Sequence, residues 1–116
     1  MMLISACSPP PIDVAIQRVG ADIKIMLSQK WGLFSDKKAP CVKTIELYRG
    51  NDGVGKPVWK VDADGGGQCI DNVSSVVLGQ APKRFSTVKA LPSSSAGSHT
   101  LVISGIGYGK ASLILP

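Results

Sequence analysis

A chain of 116 residues, 44% hydrophobic and 18% charged, has room for one core and too little length for two. Thirteen basic residues against eight acidic give a net charge of +5, but the basic ones are scattered and only 5% of residues are aromatic, which argues against nucleic acid as a partner. No stretch approaches the roughly 18–20 consecutive apolar residues of a membrane-spanning helix, so membrane attachment is expected through a lipid anchor only.

The chain begins with Leu3, Ile4, Ser5, Ala6 and Cys7, and turns at once into Ser8 and the prolines Pro9, Pro10 and Pro11. A branched apolar residue, two small residues and a cysteine resemble the lipobox of bacterial lipoproteins. The resemblance implies lipidation at Cys7, a signal remnant and proline-rich tether over residues 1–11, and a folded domain over residues 12–116. It also implies a place in the bacterial cell envelope, lipid-anchored at the outer membrane or in the periplasm. Only Met1 to Ala6 precede Cys7, short of the about 7–15 apolar residues a signal requires, so this reading expects further residues before Met1.

Three cysteines are an odd set for an exported protein. With Cys7 acylated, Cys41 and Cys69 are left either to form a disulfide or to remain as two buried thiols. Pairing them would remove denatured-state entropy worth about 3–4 kcal/mol. With no Cys-x-x-Cys pair and a single histidine, a structural zinc site is not expected.

Beyond the prolines, 12–19 alternates loosely, with Ile12, Val14 and Ile16 set against Asp13, Ala15 and Gln17. Residues 21–29 alternate more cleanly. Ile23, Ile25 and Leu27 share one face of a strand and Lys24 and Met26 the other, with Gly20 before it and Trp31-Gly32 after it. Residues 33–40 hold Lys37, Lys38 and Pro40 and are expected to form a loop. In 41–49, Cys41, Lys43, Ile45 and Leu47 oppose Val42, Thr44, Glu46 and Tyr48; either face can be the buried one, although Ile45 and Leu47 favour the first.

A glycine-rich turn at 51–56 and Pro57 lead into 58–62, where Trp59 and Val61 share a face; this strand should pair with 41–49 as a hairpin. Gly65, Gly66 and Gly67 precede a β-branched stretch with Ile70, Val73, Val76 and Val77, expected to be one strand. A short strand is expected at 85–91 and a Ser/Gly-rich link at 92–98. The chain closes on a hairpin of 99–104 and 110–115 around a turn at 105–109.

This rhythm of short strands and turns, without an amphipathic helix, predicts an all-β fold, a single antiparallel β-sandwich of about seven strands. Leu91, Pro92 and Gly97, then His99 to Ile103 and a glycine hairpin, resemble the closing hairpin of immunoglobulin-like and fibronectin-type-III-like domains. In those domains a tyrosine two residues after the glycine often bonds across the corner; here that position is His99.

Four motifs invite chemistry and are better read as structure. Gly50, Gly55 and Lys56 have phosphate-loop spacing, but Pro57 supplies neither the hydroxyl nor the N–H that such a loop uses. Asp62, Asp64 and Asp71 are weak candidates for a calcium site, because Gly66 and Val73 stand where oxygen ligands belong. Gly105, Gly107 and Gly109 lack the helix and acidic residue of a dinucleotide site. His99, beside Ser98 and near Ser104, has no third group to orient it, so a packed or corner-bonding histidine is expected and catalysis is not.

Trp31, Phe34, Lys37 and Lys38 form the candidate interaction surface, since aromatics with basic neighbours are common at interfaces; a loop folded back on the sandwich would explain them equally well. The function expected is that of a non-enzymatic structural or protein-interaction module without cofactors. Its partner would be an envelope protein or an anionic envelope surface. The alternative is a small soluble ligand-binding or inhibitor domain for a divalent ion or an anionic glycan, which calorimetry with calcium and with anionic polysaccharide would separate.

Overall fold

The computed structural model describes residues 9–116 apart from 52, 67 and 70. Among the described residues ten strands follow in chain order: β1 (Asp13–Val19), β2 (Asp22–Lys30), β3 (Lys37–Lys38), β4 (Cys41–Arg49), β5 (Trp59–Ala63), β6 (Asp71–Asn72), β7 (Ser75–Val77), β8 (Phe85–Lys89), β9 (Gly97–Gly105) and β10 (Gly107–Leu115). They form two antiparallel sheets. One has four strands, with β1 on one side of β2 and β3 and β7 on the other; the second has six, in the order β10-β9-β4-β5-β8 with β6 beside β4.

The alternation read in 21–29 is the inner face of β2: Ile23, Ile25, Leu27 and Gln29 are buried in turn. Against them the six-stranded sheet sets Ile45 and Leu47 of β4, Trp59 and Val61 of β5, and Leu101 and Ile103 of β9, all fully buried in a single core. Each such aliphatic side chain contributes about 1.5–3 kcal/mol relative to exposure. An all-β fold of two facing sheets is compatible with a β-sandwich.

The expected count of about seven strands is corrected to ten. The stretch expected as one strand through Val73 and Val76 is two. Asp71 and Asn72 pair with β4, while Ser75 to Val77 pair with β2, so the chain crosses between sheets at buried Val73, whose N–H donates to the Pro40 carbonyl at 2.8 Å. Lys37 and Lys38, expected in a loop, pair with Lys30 and Gln29 as β3.

The face favoured in β4 is the buried one from Ile45 onward but not before it. A β-bulge between Val42 and Thr44 adds a residue opposite β9, so Val42 is buried with Ile45 and Leu47, while Lys43 is exposed and Cys41 only half-buried. Gly105 faces the bulge, and any Cβ there would collide with the Cys41 carbonyl oxygen and lie 2.8 Å from the Val42 Cα. The closing hairpin is tighter than expected. Gly105 pairs with Gly107, and Ile106 alone makes the turn, with Gly107 at φ 107° in a region that side chains rarely adopt.

One open side of the sandwich is closed by β1 running beside β10. The Ile12 N–H donates to the Tyr108 carbonyl at 2.9 Å, and Arg18 Nη2 to the Ile114 carbonyl at 2.7 Å.

Candidate functional site

β2 leaves the core at Lys30, and the chain reverses through a turn in which the Ser35 N–H donates to the Gly32 carbonyl at 3.2 Å. That bond sets Leu33 and Phe34 at the two central positions of the turn. They are 86% and 100% exposed, and Trp31 at the base of the turn is 52% exposed. The returning chain places Lys37 directly opposite Lys30 and Lys38 opposite Gln29. Like charges directly opposite one another repel. The Asp13 carboxylate offsets this in part, 3.9 Å from Lys37 Nζ, in a pair more than half exposed on both sides and therefore weak.

The structure thus brings Trp31, Phe34, Lys37 and Lys38 together on one short hairpin, and the loop does not fold back on the sandwich. Leu33 and Lys30 belong to the same surface. Sequence reasoning passes over Leu33 as a loop residue but sets Lys30 beside Trp31 and Phe34. The available signal was Gly32-Leu33-Phe34-Ser35, two large apolar residues between small turn-forming ones.

Under the hairpin, a cleft of about 160 Å³ is lined by Gln29, Trp31, Lys38, Ala39, Cys41, Asn72 and Ile106. Gln29 is 1% exposed, and its Nε2 donates to two carbonyls at 2.8 Å, those of Pro10 and Ile106. The chain entering the domain, the β9–β10 turn and the 31–38 hairpin therefore meet at one end of the molecule. Cys7, the expected lipidation site, lies outside the described residues.

Cys41 and Cys69 form a disulfide with Cα atoms 5.7 Å apart, within the usual range. It joins the start of β4 to the segment before β6, beside the same cleft.

The other candidate residues are dispersed. Asp64 accepts a hydrogen bond from Ser86, and Asp71 lies 3.3 Å from Arg84 Nη1. Asp62 faces a cavity of about 210 Å³ with Lys43, Thr44 and Gly66, and its Oδ1 is buried without a partner. Among the described residues no three His, Cys, Asp or Glu side chains come together as a metal site. His99 is fully buried; its Nδ1 donates to the Gly97 carbonyl at 2.8 Å, and its buried Nε2 has no partner. The glycine-rich turn after β4 is tied down by the Thr100 hydroxyl, which donates to the Gly50 carbonyl at 2.8 Å.

Among the described residues one ionisation is displaced. Burial, then the neighbouring Glu46 carboxylate, raises the Tyr48 phenol above its ordinary value near 10.0.

Comparison of the chain with protein-family models, with curated proteins and with solved structures finds no match.

Proposed function

We propose that this chain is a non-enzymatic, lipid-anchored module of the bacterial cell envelope, an immunoglobulin-like sandwich that engages another envelope component through the 31–38 hairpin. The observation that carries the reading is the complete exposure of Phe34 beside Leu33 and Trp31. Scattered apolar residues on a surface need no explanation; three together on one hairpin, two of them at its exposed tip, support a contact site there.

The sandwich type is supported by strand order. β10-β9-β4-β5 follows the G-F-C-C′ order of variable-type immunoglobulin domains, and β7 beside β2 follows the E-B pairing. Three features depart from that pattern. β8 pairs outside β5 although it follows β7, the disulfide does not link β2 to β9, and the buried tryptophan is on β5 rather than β4.

Anchoring is supported by the lipobox-like run at Leu3 to Cys7 and the prolines after it. The test is to express the gene with its genuine upstream sequence and supply labelled fatty acid. Label that depends on Cys7, lost in Cys7→Ala, is the expected result. A protein that stays soluble and unlabelled rules out the anchor.

A further inference from the structure

We propose that the 31–38 hairpin is a bilayer-interfacial loop whose partner is an anionic lipid surface. The proposal rests on the reading of this hairpin as the contact site and names what it contacts. Leu33 and Phe34 enter the apolar boundary, Trp31 lies at headgroup level, and Lys30, Lys37 and Lys38 meet lipid phosphates.

Three observations favour lipid over a protein partner. The first is the order of chemistry along the hairpin. Its tip is apolar, an indole follows on the outgoing arm where the returning arm has Ser35 and Asp36, and the lysines come last at the paired base. This is the sequence of environments met on leaving a bilayer: hydrocarbon, aromatic belt, charged headgroups. About three residues separate base from tip, up to about 10 Å of extended chain, which matches the depth to which interfacial segments sink.

The second is the Lys30–Lys37 pair. Pairing in register sets two lysines opposite each other, an arrangement that like charges disfavour, and Asp13 at 3.9 Å from Lys37 Nζ offsets only one of them. Lipid phosphates neutralise both. Asp36 and Asp13 reduce the local positive excess, so apolar insertion supplies most of the binding and anionic lipid adds a preference.

The third is position. Gln29 holds the Pro10 carbonyl beneath this hairpin, and three residues of fully extended chain, about 11 Å at most, connect Pro10 to Cys7. An acyl chain at Cys7 would therefore enter the membrane near the hairpin.

The chain carries its own probe. Trp31 is half exposed and Trp59 fully buried, so a change in tryptophan emission on adding vesicles reports the hairpin. The full-length, disulfide-bonded, unacylated chain is mixed with vesicles of phosphatidylcholine alone and with about one third phosphatidylglycerol. The expected result is a blue shift and loss of iodide quenching, with binding several-fold tighter to the anionic vesicles. Leu33→Ser with Phe34→Ser should weaken binding about tenfold or more while leaving the fold intact, because neither side chain is buried. Lys37→Glu with Lys38→Glu should abolish the preference for phosphatidylglycerol.

No blue shift and no co-sedimentation with either vesicle overturns the bilayer assignment, and so does binding that survives the Leu33/Phe34 change. If vesicles fail while a photo-cross-linker at Phe34 captures an envelope protein in cells, the contact surface stands and only its lipid partner is lost. If neither lipid nor protein is engaged, both readings fall.

Discussion

The Gln29 side-chain amide donates to the Pro10 carbonyl at 2.8 Å and, with its other hydrogen, to Ile106 at the same distance. One buried side chain thus fastens the entering chain to the β9–β10 turn beneath the exposed hairpin. Gln29 continues the face of Ile23, Ile25 and Leu27, so the polar clasp stands where periodicity alone asks for another hydrophobe.

Gln29→Leu keeps the volume and removes both bonds. It should lower stability by about 1–3 kcal/mol, because two carbonyls lose their donors. Hydrogen exchange should also quicken at the Ile12 amide, which bonds to Tyr108 beside this clasp. Unchanged urea midpoint and unchanged exchange would show that the clasp is dispensable.

Reduction, or Cys41→Ser with Cys69→Ser, should cost about 3–4 kcal/mol for a bridge spanning 28 residues of sequence. Because Cys41 adjoins the β4 bulge, the greatest loss of exchange protection should fall on β6 and the first residues of β4. Equal denaturant midpoints for oxidised and reduced protein would contradict this.

Gly105→Ala and Gly107→Ala should each destabilise by about 1–3 kcal/mol, for different reasons. At Gly105 the added methyl meets the backbone of the bulge, and at Gly107 it lies 2.7 Å from the Pro10 oxygen with a φ unsuited to alanine. Gly55→Ala, where a Cβ meets nothing within 4 Å but φ is 97°, separates backbone strain from collision. The two hairpin changes should each exceed it in thermal denaturation.

Tyr48 gives a pH signature. Its folded value is raised by burial and by Glu46, so the folded state holds the phenol proton more tightly than the unfolded chain does. The stabilisation is fully present below the unfolded value near 10.0 and is lost as pH rises through the folded one. Tyr48→Phe should therefore flatten the fall of stability on the alkaline side. A parallel decline in both proteins would place its cause elsewhere.

Much of this architecture is legible in the chain. The alternation of Ile23, Ile25 and Leu27, of Trp59 and Val61, and the closing glycine hairpin all specify strands whose inner faces the fold uses, because local period and burial agree there. The errors fall where pairing is decided by distant chain. β3, β6 and β7 are two or three residues long and exist through their partners on β2 and β4. The β4 bulge carried one warning: strict alternation would have buried Lys43 with Ile45. At the candidate site, Trp31, Phe34, Lys37 and Lys38 could be named from composition, but their convergence on one hairpin depends on the Gly32–Ser35 turn and the pairing of Lys30 with Lys37.

The 31–38 hairpin, and not another face, is proposed to meet the protein's partner. A photo-cross-linking residue placed at Phe34 in living cells, and in a parallel strain at Val88 on the exposed strand β8, tests it directly. A discrete adduct, lipid or protein, is expected from position 34 and none from position 88. Adducts from position 88 alone, or equal labelling from both, would contradict it.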